Sequence, residues 1–154
     1  MKKVLLIIVP ILICFLIGTT AGYFQSESII SWYPLLNKAP LTPPNYIFPI
    51  AWGILYVCMG VSIGLILQKN DSRKEMLTTL FILQLFFNFM WSILFFYFRN
   101  PLLGLADILI LDVIVIAYAI QCYPVKKVSS YLFFPYIAWI LFATYLNAYI
   151  LFYN

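Results

Sequence analysis

Apolar residues fall in five blocks along this chain, each near the length that crosses a bilayer as a helix. Short polar stretches separate them. The pattern predicts helices at about 4–24, 43–68, 76–98, 101–123 and 131–153. Polar residues inside the blocks mark the inward faces. In the third block Gln84, Asn88 and Trp91 stand at i, i+4, i+7 and share a face. Amides avoid lipid, so that face is expected to point into a bundle. In the fifth block Pro135, Trp139, Ala143 and Leu146 share a face, with Asn147 at its edge. Gly18 and Gly22 lie one turn apart in the first block and allow close approach of a neighbour or a ligand. Gly60 and Gly64 fit either a homodimer seam or close packing within the chain, and the second is expected.

The stretch from Trp32 to Tyr56 breaks the pattern. It holds Pro34, Pro40, Pro43, Pro44 and Pro49, so it cannot be one regular helix. Thr42 is expected to cap the second helix, with Pro43 at its first position. Pro49 is expected to kink that helix just before Trp52.

Composition decides the solvent. The chain is 65% hydrophobic and 9% charged. Soluble domains carry about a quarter charged residues, so lipid must cover this one. The net charge of +4 does not point to nucleic acid. Lys2, Lys3, Lys69, Arg73, Lys74, Lys126 and Lys127 fall on one side of the five spans, and only Lys38 and Arg99 on the other. That bias predicts a cytoplasmic N-terminus, with the first loop and the C-terminus outside. Lys2-Lys3 and the following run also fit a secretory signal. The run of 21 residues exceeds the usual apolar region of about 7–15, so a retained helix is expected.

With no histidine in the chain, imidazole metal sites, histidine-ligated haem and histidine-based catalysis are excluded. Cys14, Cys58 and Cys122 sit in apolar runs without ligand spacing and read as core residues. No metal site is expected. Asp107 and Asp112 are five apart, about 140° around the fourth helix, and do not form one paired site.

Three blocks of residues carry a resemblance. The first is Trp32-Tyr33, Leu36, Lys38, Pro43-Pro44, Phe48, Trp52 and Leu55-Tyr56. The second is Gln84-Leu85, Asn88, Trp91-Ser92 and Phe95-Phe96. The third is Trp139, Ala143-Thr144 and Leu146-Asn147. Together they resemble the translocator protein family, also called tryptophan-rich sensory proteins or peripheral-type benzodiazepine receptors. Ala39, Pro40, Leu41 and Tyr46 depart from its usual residues. The resemblance implies an all-α integral membrane protein, a five-helix bundle whose proline-rich first loop closes a ligand cavity as a lid.

It also implies the ligands: porphyrins such as protoporphyrin IX, and other flat hydrophobic molecules of benzodiazepine type. The expected binding residues are Tyr33, Trp52, Gln84, Asn88, Trp91, Trp139, Ala143 and Leu146. Indoles would stack on a flat ligand, and Asn88 would meet its polar edge. No cofactor is expected; a porphyrin would be ligand or substrate. The expected function is a tetrapyrrole receptor or sensor. The alternatives are a light-dependent porphyrin-degrading enzyme using Trp52 and Trp139, and a transporter of porphyrin or lipid-like ligands. Leu146 and Tyr149 begin the family's sterol motif, but no basic residue follows. Tight cholesterol binding is therefore not expected.

Overall fold

In lipid a backbone N–H finds no partner except within its own helix, so apolar runs of this length fold as helices. A computed structural model describes residues 2–154. It contains α1 (Lys2–Ser31), α2 (Ile47–Leu67), α3 (Lys74–Ser92), α4 (Pro101–Cys122), α5 (Lys127–Tyr131) and α6 (Phe134–Tyr153). A 3₁₀ turn at Tyr33–Leu35 follows α1, and a π turn at Ile93–Tyr97 extends α3. Among the described residues there is no strand. Five helical segments are long and apolar enough to span a membrane: α1, α2, α3 with its π turn, α4, and α5 with α6. This is an all-helical, multi-pass integral membrane protein. The large apolar residues exposed on α4 include Leu102, Leu109, Ile110, Val113 and Ile120, a surface suited to lipid and not to water.

The helix ends differ from the sequence expectation in informative ways. α1 runs to Ser31, not to residue 24. Its polar end is held by the turn before α4: Ser28 Oγ donates to the Phe96 carbonyl, and Arg99 bonds Glu27, Ser28 and Ser31. α2 starts at Ile47, and Thr42 is not its cap. Pro44 drives Pro43 out of the α region, so no helix can start there. The chain turns instead, with Thr42 N–H donating to the Ala39 carbonyl. Pro49 therefore falls in the first turn of α2, where the N–H it lacks has no intrahelical partner to lose. The expected kink does not arise.

α1 and α2 pack along a glycine seam. A Cβ at Gly60 would stand 2.6 Å from Ile11 Cα, and one at Gly64 would stand 2.6 Å from the Leu6 carbonyl oxygen. The two glycines thus serve packing within the chain. Pro10 contributes from α1: it has no N–H for the carbonyl four residues back, which is that of Leu6. The freed oxygen rests against Gly64. The dense half of the bundle lies here, around Cys14, Met59, Ile66, Leu77, Tyr118 and Phe133. Beyond Gly18 the helices leave an interior space, and a Cβ at Gly22 or Gly53 would meet nothing within 4 Å.

Candidate functional site

That space is a cavity of about 520 Å³ in the half of the bundle nearer the first loop. Ligand cavities of drug size run about 300–1,000 Å³. It lies among α1, α2, α3 and α6. α6 meets α2 and α3 across it through long side chains. Trp139 stands edge-on to Phe48 at 5.8 Å, and Tyr136 meets Trp52 at 6.1 Å.

Tyr56 closes the bottom, with the buried Tyr136 behind the wall. Trp52 stacks on Tyr56 at 5.5 Å, and the Tyr56 ring lies over Gly18, where any side chain would collide with it. Asn88 Nδ2 donates to the Tyr136 hydroxyl at 3.1 Å. Asn88 Oδ1 makes no hydrogen bond among the described residues, although Asn88 lines the cavity. A donor on a ligand would meet an open acceptor there.

The side wall is set by a second amide. Trp91 Nε1 donates to Asn147 Oδ1 at 3.0 Å, and Asn147 Nδ2 donates to the Pro101 carbonyl at 2.8 Å. Both ends of the Asn147 amide are used, so its orientation is fixed and the Trp91 ring with it. Phe95 stacks on Trp91 at 5.3 Å, nearly parallel. The π turn puts both Phe95 and Phe96 on the cavity wall. Its wide hydrogen bond runs from Phe98 N–H to the Ile93 carbonyl.

Tyr33 forms the roof. Its ring meets Phe96 at 5.6 Å and carries Lys38 Nζ 4.9 Å from its centre. Burial pushes the Tyr33 phenol above its ordinary pKa, so it stays a neutral donor. The loop itself is clasped to the end of α6. Asn37 N–H donates to Asn154 Oδ1 (2.8 Å), Asn37 Nδ2 to the Tyr153 carbonyl (3.1 Å), and Asn154 Nδ2 to the Asn37 carbonyl (3.2 Å).

Of the eight residues expected from sequence, Tyr33, Trp52, Asn88, Trp91, Trp139, Ala143 and Leu146 all line this one cavity. Gln84 does not. It shares the inward face of α3 but sits one turn deeper than Asn88, in the packed half, at 0% exposure. Among the described residues neither its oxygen nor its nitrogen has a partner. The α1 wall was read only in part: Gly18 and Gly22 line the cavity as the close-approach face, but Gln25 and Ile29 line it too, although the helix was expected to stop before them. The signal existed, since Gly18, Gly22, Gln25 and Ile29 form a stripe at helical spacing. Asp107 and Asp112 lie outside the cavity, and Thr144 Oγ1 donates to Asp112 Oδ2 at 2.9 Å. Among the described residues no group of three or more histidine, cysteine or acidic side chains could hold a metal ion.

A bundle of five membrane spans around a neutral, aromatic cavity of ligand size defines an all-helical, multi-pass membrane protein. The chain belongs to the TspO/MBR family, whose sequence model matches residues 10–153. It is 40% identical over 148 residues to the tryptophan-rich protein TspO of Archaeoglobus fulgidus, covering 94% of each chain. It is 30% identical to the translocator protein of Sus scrofa, covering 86% of this chain and 82% of that one. It is 29% identical to the tryptophan-rich sensory protein of Cereibacter sphaeroides, covering 84% and 79%.

Proposed function

We propose that this protein is a membrane receptor that binds tetrapyrroles of the protoporphyrin IX type inside the bundle. One observation carries the reading: three indoles, Trp52, Trp91 and Trp139, line a single cavity of about 520 Å³. Stacking on such rings adds about 0.5–1.5 kcal/mol per good pair beyond burial. Without histidine, the site suits a free porphyrin held by shape and stacking more than a metal porphyrin needing an axial imidazole. The test is a tryptophan-quenching titration of the purified protein with protoporphyrin IX. Saturable quenching is expected, and its absence overturns the reading.

A second reading is favoured by the placement of Trp52 and Trp139 in the same cavity. An excited porphyrin bound between oxidisable indoles could be degraded in light, with the porphyrin carrying the difficult step. Irradiating the complex and following its absorbance tests this. The reading requires bleaching that Trp52→Phe or Trp139→Phe abolishes while binding survives.

The seven-to-two distribution of basic residues supports an N-terminus in the cytoplasm and the lid outside. Leu35 is 80% exposed in the first loop. In a variant lacking Cys14, Cys58 and Cys122, Leu35→Cys should react with an impermeant maleimide on intact cells. Reaction only after permeabilisation reverses the orientation.

A further inference from the structure

The cavity lining includes amides, hydroxyls and aromatic rings but no charged side chain. A carboxylate drawn into it would lose its hydration with no cation to replace it. A ligand that carries acidic groups must therefore leave them at the mouth. Two basic residues stand at that end of the bundle. Arg99 is engaged: it donates to Glu27 Oε1 at 3.1 Å, Ser28 Oγ at 3.2 Å and Ser31 Oγ at 3.3 Å. Lys38 is not: among the described residues it forms no ion pair.

The position of Lys38 is defined at both ends. Its ammonium lies over Tyr33, the roof residue, and a ring face leaves N–H donors of the ammonium unused. The backbone just before it is held at Asn37 by the clasp to Asn154 and Tyr153.

We propose that Lys38 is the anion anchor of the site. It selects flat apolar ligands that carry a carboxylate on one edge, body in the neutral cavity and acid at the lid. The proposal rests on reading the cavity as the ligand site, and it deepens that reading by naming the ligand's polarity and the residue that senses it.

The test compares acids with their neutral esters in dodecyl maltoside, which supplies no phosphate headgroup. The probes are protoporphyrin IX and its dimethyl ester, and 1-pyrenebutyrate and its methyl ester. Wild type should bind each acid about fivefold more tightly than its ester, the upper range for a partly exposed ion pair. Lys38→Gln should abolish that preference and leave ester affinity unchanged, while Lys38→Arg keeps it. In wild type alone, raising salt from about 50 to about 500 mM should weaken the acids and spare the esters. Equal weakening of acid and ester in Lys38→Gln would mean that the lysine only closes the lid, and overturns the anchor. So does an acid preference that survives the substitution. A Lys38-dependent preference within the pyrene pair, with neither porphyrin binding, keeps the anchor and removes the tetrapyrrole reading. Porphyrin binding without any acid preference does the reverse.

Discussion

Replacing Asn88 by leucine separates two roles that one side chain fills. Asn88 Nδ2 gives the Tyr136 hydroxyl its one hydrogen bond among the described residues, and Tyr136 is 0% exposed. Leucine leaves that hydroxyl buried and unpaired, which costs about 1–3 kcal/mol. Tyr136→Phe leaves the Asn88 amide facing the cavity, where water or ligand reaches it, so it should cost about 0.5–1.5 kcal/mol. Removing both partners should be nearly neutral. The cycle Asn88→Leu, Tyr136→Phe and the double variant, unfolded reversibly in mixed micelles, should thus show a coupling of at least about 1 kcal/mol. Affinity reads the other role. Asn88 Oδ1 is open to the cavity, so Asn88→Leu should weaken a ligand that donates to it by about 1–2 kcal/mol, roughly five- to thirtyfold. Tyr136→Phe should change affinity little. A coupling near zero would refute the structural half of this reasoning. Equal affinity loss in the two single variants would refute the ligand half.

Gly64→Val should prevent folding or lower the melting temperature sharply. Its side chain would enter the space of the Leu6 carbonyl and the Ile7 backbone, and overpacking against backbone costs about 1–3 kcal/mol or more; size-exclusion profiles and melting report it. Asn154→Ala removes two of the three bonds of the clasp on Asn37 and should raise both association and dissociation rates in stopped-flow quenching, with a smaller change in Kd. Unchanged rates would show that the lid is held elsewhere. Arg99→Gly should relieve the left-handed backbone (φ 51°) yet release the end of α1. Faster proteolysis after Gln25 is expected, and wild-type resistance would argue against the clamp.

The parts of this fold that sequence alone revealed are those governed by a single physical rule. Bilayer thickness and backbone hydrogen bonding made the five spans legible. Helical periodicity made the inward faces of α3 and α6 legible, and the motif around Trp52 pointed to the cavity. Periodicity gives the angle of a residue around its helix, however, and not its depth. Gln84 and Asn88 share a face, and only the packing of the bundle decides that one is sealed in its dense half and the other lines a space. Pro49 failed for a related reason. A proline bends a helix or begins one according to where the helix starts, and the Pro43-Pro44 pair fixed that start four residues later than expected. The π turn beside Trp91 left no composition signal, because Ile93–Tyr97 is ordinary helix-compatible sequence.

A cavity of this size gives up contacts that a membrane bundle needs, since lipid offers no hydrophobic drive to press helices together. The structure answers by dividing the work along the helix axis. In the half away from the lid, glycines let α2 lie against the backbone of α1, and large side chains fill the rest. In the lid half the helices stand apart and are tied by a few directed hydrogen bonds. Asn88 joins α3 to α6 through Tyr136, and Asn147 joins α6 to both Trp91 and the start of α4. Ser28 and Arg99 join α1 to the turn before α4, and Asn37 joins the lid to α6. Such bonds fix distance without filling volume. That explains why amides such as Asn88 and Asn147 stand beside the cavity in this very apolar chain. It also explains why Asn88 through its Nδ2, and Asn147 through its whole amide, tie helices together before any ligand arrives.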